Sequence, residues 1–462
     1  MKIKRSNIIT NLSDVLIASV LRKTLNDPYK NLALVLNFVR RLTKNKKSLG
    51  YFDSVLDYLK RNKDSIKRIY DSTSPLVLAR FLKIYITRMH IVGPARRQKI
   101  QKEMGLRIPD IFIGEIATKC NLACVGCYSR PTRSQEKSIF TEWDKIIKEG
   151  KRIGIFNVFW SGGEPLMEKE LLVKLAKDHP DIWFSVFTNG TLIDDNFANQ
   201  AFLSRNLVFL VSVNGDEDEN DKYRGKGTYQ RAFKGMTKLR EKKVPFGISV
   251  TVGKDNLTSA TGDSFVQACC DVGASFFMYF PYLPNTAEER KFGLTPLERE
   301  ILYENVLTVR SKFQISAFYS HLNFMGSCAG GGRLVYINAY GDLQPCPFTP
   351  FTTHNVKDGL LNALVTPLSA SYATKEQGHK DPLSMCYRLD NPLELAEILT
   401  STGAKPVGKT DSSFFLYPPI EVERDSLEWK EISERIREGM DGRMLVKKLE
   451  KYMDEEKKNE AV

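Results

Sequence analysis

No stretch of this sequence stays apolar long enough to cross a bilayer. Leu32-Ala-Leu-Val-Leu-Asn-Phe-Val39 stops at Arg40, and Arg80, Lys83 and Arg88 interrupt the segment Pro75–Val92. A spanning helix needs about 20 nearly uninterrupted apolar residues. No secretory signal is evident, so the eight cysteines do not read as a disulfide scaffold. They read as reduced thiols of a cytosolic, metal-handling protein. A second Cys-x-x-Cys is also missing, which removes the usual two-pair structural zinc site. No known nucleic-acid-binding motif is found and aromatics are sparse within the basic runs, so nucleic acid is not an expected partner.

What is present is a chain of 462 residues, 42% apolar and 27% charged, able to bury a large core and long enough for two to four domains. Its net charge of +13 is uneven. Residues 1–107 hold roughly 24 Lys and Arg against about 7 Asp and Glu, leaving the remainder slightly acidic. Four helices are predicted in this basic region, at 8–24, 30–43, 50–70 and 75–91, from apolar spacing near 3.6. Asp27-Pro28, the run 44–50 and Ser72-Thr73-Ser74-Pro75 punctuate them. Two readings stand: a helical cap with a solvated basic face, or a surface for anionic lipid headgroups.

From residue 108 the pattern alternates. Strands are expected at 111–118, 155–161, 182–188, 207–214, 246–252 and 275–282. Helices follow at 140–152, 168–178, 194–204, 228–242, 262–272 and 295–312. Six strand-then-helix units predict a parallel sheet with helices outside it, because parallel strands need crossover connections. Spacing alone does not separate an open sheet from a barrel.

The first strand runs directly into Cys120-Asn-Leu-Ala-Cys124-Val-Gly-Cys127-Tyr128. Three local thiolates are one short of a closed metal site. A cubane iron–sulfur cluster with three cysteine ligands leaves one iron open to a small molecule. A zinc loop and chance clustering are the plainer alternatives. The second strand ends in Ser161-Gly162-Gly163-Glu164-Pro165, the third in Thr188-Asn189-Gly190 and the fourth in Ser212-Val213-Asn214-Gly215, with Arg224 following. Taken singly, each is an ordinary turn former.

Together these residues resemble the radical S-adenosylmethionine (SAM) superfamily. The resemblance implies a partial (β/α)6 TIM-like barrel with its site at the strands' C-terminal ends. It implies a 4Fe-4S cluster on Cys120, Cys124 and Cys127 whose open iron chelates SAM, with Tyr128 closing the motif. Gly162, Gly163 and Glu164 inherit the contact to SAM's amino group. Asn189 and Ser212 inherit polar contacts to SAM, and Arg224 the contact to its carboxylate. The family often has Asp where Asn214 stands. A reducing partner such as a ferredoxin or flavodoxin is implied as well.

Farther on, Cys328 and Cys346 flank a predicted hairpin that turns at Tyr340-Gly341-Asp342, and Cys386 follows. The spacing resembles the SPASM extension of that superfamily, in its shorter twitch form with one auxiliary iron–sulfur cluster. Cys328, Cys346 and Cys386 would be its ligands. His321, His354, Cys269, Cys270, water or substrate compete for the fourth place, and buried free thiols or a zinc remain alternatives. Cys269 and Cys270 read first as core residues of a helix.

The expected organisation is a basic helical region at 1–107, the barrel at 108–315, a twitch/SPASM-like domain at 316–420 and a charged, solvated helical tail at 421–462. The expected activity is cleavage of SAM to a 5′-deoxyadenosyl radical that takes hydrogen from a substrate. An unactivated C–H of a lipid chain at the membrane surface is the first substrate reading. A peptide- or protein-modifying maturase is the alternative, and a non-catalytic iron–sulfur or regulatory protein a third. The expected location is the cytoplasm, with peripheral contact at the inner face of an anionic membrane.

Overall fold

The computed structural model describes residues 60–129, 141–319, 329–376, 381, 383–384 and 386–439, with Ala33 and Asn37 in addition. The helices expected before residue 60, His321, Cys328 and the tail beyond 439 lie outside the described residues. No described helix is long and apolar enough to cross a membrane.

Six strands appear where the sequence predicts them: β1 Ile111–Ala117, β2 Asn157–Gly162, β3 Trp183–Thr188, β4 Leu207–Ser212, β5 Phe246–Val252 and β6 Phe276–Pro281. All seven residues of β1 are buried, as a strand covered on both faces requires. Each pairs in parallel with the next. Ser316–Tyr319, expected to open the C-terminal domain, instead pairs in parallel with β6 as β7.

The predicted hairpin forms from β8 Leu334–Ile337 and β9 Asp342–Gln344, antiparallel with Tyr336 opposite Gln344. β8 also pairs in parallel with β1, Ile113 opposite Tyr336. The hairpin therefore extends the barrel sheet. With β10 Phe351–Thr352 and β12 Lys405–Pro406 forming a separate pair, β11 His354–Asn355 completes a ten-stranded sheet of order β11-β9-β8-β1-β2-β3-β4-β5-β6-β7. Side chains of β1 to β6 and of β8 line one cavity, so the sheet curves around it.

Before the barrel come α1 Lys63–Ser72 and α2 Pro75–Lys83. Ser74 caps α2 by accepting from Leu76 N. The helix expected to end at 91 runs on, through a π-helical stretch Ile84–Val92 into α3 Gly93–Met104. These elements close the barrel at the strands' N-terminal ends. Val77 and Ile84 pack on Trp183 and Val208, and Ser74 N bonds the Lys243 carbonyl at 2.8 Å just before β5. The described part of the basic region is thus a cap, on the side away from the cysteine loop.

Outer helices follow the strands: α4 Trp143–Ile153, α5 Lys169–Asp178, α6 Asp195–Ser204, α7 Glu217–Arg224, α8 Thr228–Glu241, α9 Asp263–Val272 and α10 Pro296–Lys312. α11 Pro392–Ser401 and α12 Ile420–Gly439 come last. The sequence reading has α12 as a solvated element, yet Trp429, Ile432, Ser433 and Ile436 are buried. Its charged residues hide one apolar face.

Candidate active site

The cysteine loop leaves β1 at the rim and is fastened from three sides. Val125 N donates to the Tyr223 carbonyl of α7 at 2.9 Å. Asn121 accepts from Asn189 Nδ2 at 2.9 Å and donates to Thr191 Oγ1 at 2.9 Å. Gly126 has a φ of +61°, and a Cβ there would meet the Tyr282 ring at 2.4 Å. Only glycine fits under Tyr282.

The Gly162-Gly163 pair lets two loops touch. Gly163 N bonds the Ala117 carbonyl at 2.7 Å and Glu164 N the Lys119 carbonyl at 2.8 Å. A Cβ on Gly163 would stand 2.1 Å from the Lys119 oxygen. The sequence reading gives these glycines to a ligand; here the close approach is made by the backbone at the base of the cysteine loop.

Glu164 is buried beside them. Its carboxylate accepts from Thr188 Oγ1 at 2.5 Å, Leu166 N at 3.0 Å and Asn189 N at 2.8 Å. Burial pushes its carboxyl above the usual range, against the pull of those donors. The side chain locks β2's exit to β3's. Asn189 is likewise engaged: its carbonyl oxygen accepts from Thr191 N at 2.9 Å and Thr191 Oγ1 at 2.7 Å.

Arg224 ends α7, whose N-cap Asp216 accepts from Glu219 N at 3.1 Å. Arg224 Nη2 donates to Asn214 Oδ1 at 3.0 Å, while the buried Nε has no partner. Asn214, given no clear role by the sequence, is what holds this guanidinium.

Across the cavity stand the hairpin residues. Cys346 Sγ accepts from Phe348 N at 3.4 Å, and Phe348 meets Tyr128 of the cysteine motif with ring centres 5.2 Å apart. Burial raises the Cys346 thiol to about 12 and the Cys386 thiol upward too. Such thiols stay protonated unless a metal draws off the proton. The Cys386 loop is tied by Asp390, which accepts from Cys386 N at 2.8 Å and pairs with buried Arg299 at 2.7 Å. Arg299 in turn lies over Trp429 of α12, 3.9 Å from the ring centre.

All described residues expected at the site line a single cavity: Cys120, Cys124, Cys127, Tyr128, Gly162, Gly163, Glu164, Asn189, Ser212, Arg224, Cys346 and Cys386. It encloses about 2000 Å³ including space open to solvent. Cys269 and Cys270 do not line it; they are core residues of α9. Nor does His354, exposed on β11. Among the described residues no three His, Cys, Asp or Glu side chains gather as ligands of one metal ion would. A four-iron cube binds each thiolate on a different iron, so its ligands stand farther apart than those of one ion. Three thiols free of disulfides, facing one cavity with an unpartnered guanidinium nitrogen, fit a cluster and a carboxylate-bearing ligand.

The family model described as the Radical SAM superfamily matches residues 115–261, from mid-β1 past β5. Residues 115–261 are a radical SAM domain. Its cofactors are those of radical SAM enzymes, a 4Fe-4S cluster and SAM. Mycofactocin maturase MftC of Mycolicibacterium smegmatis is 28% identical over 277 residues, 56% of this chain and 70% of that one. The AdoMet-dependent heme synthase of Methanosarcina barkeri is 25% identical over 284 residues, 54% of this chain and 80% of that one. Among solved structures, Streptococcus suis SuiB bound to precursor peptide SuiA shares the fold at a TM-score of 0.51 with 17% identity, over 61% of this chain and 70% of that one.

Proposed function

We propose that this radical SAM enzyme holds its SAM-binding cluster on Cys120, Cys124 and Cys127 and takes a hydrogen atom from a substrate in the barrel cavity. When bound, the cluster supplies the electron that cleaves SAM to methionine and a 5′-deoxyadenosyl radical. A small electron-transfer protein such as a ferredoxin or flavodoxin is the proposed reductant. The chain's own residues orient and enclose. Arg224 offers its fork to SAM's carboxylate. Glu164 holds the Gly162–Gly163 backbone against the cysteine loop, and Ser212 lines the same wall. Tyr128 and Phe348 close the gap between loop and hairpin, keeping water from a reactive carbon centre. Cys346 and Cys386, with Cys328, are proposed to hold an auxiliary cluster. The observation that carries this reading is the convergence of both cysteine sets on one cavity with Glu164 and Arg224.

A peptide or protein substrate stands first, supported by the maturase name of MftC. A second reading, an acyl chain met at an anionic membrane, is favoured by the cavity wall. Phe159, Phe187 and Phe280 form a row with centres 5.9 and 6.3 Å apart, and Ile111, Ile113, Met278 and Leu334 also line the cavity. Such a wall suits an uncharged, apolar group. The test is anaerobic reconstitution with SAM and dithionite, followed by chromatography for 5′-deoxyadenosine. The parent should form it and a C120A/C124A/C127A variant should not; no product from the iron-loaded parent overturns the reading. Flotation with anionic liposomes then decides between substrates, since a protein that stays unbound at low salt loses the lipid reading.

A further inference from the structure

The described residues include two buried arginines, and they are compensated differently. Arg299 has a carboxylate, Asp390, at 2.7 Å. Arg388 has only neutral acceptors: Nη1 donates to the Phe348 carbonyl at 2.9 Å and Asn285 Oδ1 at 3.3 Å, and Nη2 to the Pro284 carbonyl. The Phe415 ring lies 4.6 Å from the guanidinium carbon. A guanidinium keeps its charge when buried, and a buried charge without an opposite one is strongly unfavourable. No described carboxylate bonds Arg388 directly; the nearest link is through Asn285, whose N–H donates to Glu289 at 2.9 Å, so an anion in the cavity beside Arg388 would stabilise it.

The position says which anion. Arg388 lines the cavity together with Cys346 and Cys386 and follows Cys386 by two residues. Its anchor Phe348 is the residue whose N–H donates to the Cys346 sulfur. Resting on the auxiliary-cluster reading above, we propose that Arg388 is the counter-charge of the thiolate-bound iron–sulfur cluster at Cys346 and Cys386, and tunes its reduction potential. Reduction adds one electron to an already anionic group, and a fixed cation beside it favours the reduced form. Arg388 acts here as a positioning residue, through charge, and touches no reacting atom. A substrate carboxylate would offer the same anionic chemistry but would leave the cluster's potential independent of Arg388.

The test uses the full chain in a C120A/C124A/C127A background, so that only the auxiliary cluster remains. Iron is counted after anaerobic reconstitution, and the midpoint potential is read by EPR-monitored titration for the background protein, R388Q and R388K. R388Q should retain iron and become at least tenfold harder to reduce, about 59 mV for one electron, with R388K restoring most of the shift. An unchanged midpoint in iron-loaded R388Q overturns the proposal and leaves the anion to the substrate. If R388Q loses iron while R388K keeps it at the background midpoint, the charge requirement stands. If both lose it, Arg388 is a packing element and the proposal falls. A background protein without iron would instead refute the auxiliary-cluster reading itself.

Discussion

Asn214 Oδ1 accepts a hydrogen bond from Arg224 Nη2 at 3.0 Å, so the guanidinium at the rim is held by a neutral amide. The same oxygen accepts from Thr251 N at 3.2 Å, which fixes it at the β4–β5 edge. A carboxylate here would bond the guanidinium more strongly and satisfy the charge that SAM's carboxylate is proposed to meet. N214D keeps every acceptor and should fold normally. It should weaken SAM binding about tenfold, roughly 1.4 kcal/mol, measured by calorimetry on anaerobic, cluster-loaded protein. Unaltered affinity would separate Arg224 from the SAM carboxylate.

E164Q tests whether Glu164 is a fastener. A glutamine amide turns an N–H group toward Thr188 Oγ1, Leu166 N or Asn189 N, leaving at least one buried donor unpaired. Urea unfolding should show a loss of about 1–3 kcal/mol, and SAM affinity should fall with it. A variant as stable as the parent would mean that the Glu164 bonds contribute little.

Asp110 joins the start of β1 to the hairpin through Arg333 at 3.1 Å. Burial by itself would raise its carboxyl, but the Arg333 and Arg97 charges outweigh this and hold it below the ordinary value. A depressed acid stabilises the fold above its unfolded pKa, and that contribution is lost as pH falls through the folded value. D110N should therefore cost about 1 kcal/mol at neutral pH, a difference that shrinks below about pH 4. Urea midpoints across that range read it; a constant difference would contradict the ion pair.

The Arg299–Asp390 pair holds the Cys386 loop from inside the protein. R299M leaves Asp390 buried without its partner and should cost about 3–5 kcal/mol. R299M/D390N removes both charges while keeping an acceptor for Cys386 N, and should recover part of that loss in thermal unfolding. If the double variant were no better than the single one, the packing of Arg299 on Trp429 would matter more to stability than its ion pair.

The six strand–helix units were legible because each strand is a short apolar run and each helix carries a regular stripe. β7 and β8 were not assigned to the same sheet, since four-residue strands have little periodicity and the β1–β8 pairing joins residues far apart in sequence. Helix α7 lacks an apolar stripe altogether. Its Asp216–Glu219 cap was the one available signal, three residues apart as an N-terminal cap requires. The cysteine loop, Glu164 and Arg224 were readable from motif spacing. Asn214, Arg299 and Arg388 were not, because what they do depends on partners 10 to 104 residues away.

The account turns on SAM occupying the open iron of a cluster carried by Cys120, Cys124 and Cys127. The direct measurement is electron–nuclear double resonance on the reduced, reconstituted protein with SAM labelled at its amino nitrogen and carboxylate. Hyperfine coupling of both labels to the cluster is the expected result, lost in C120A/C124A/C127A. A fully loaded, reduced cluster that shows no coupling to either label would contradict the account.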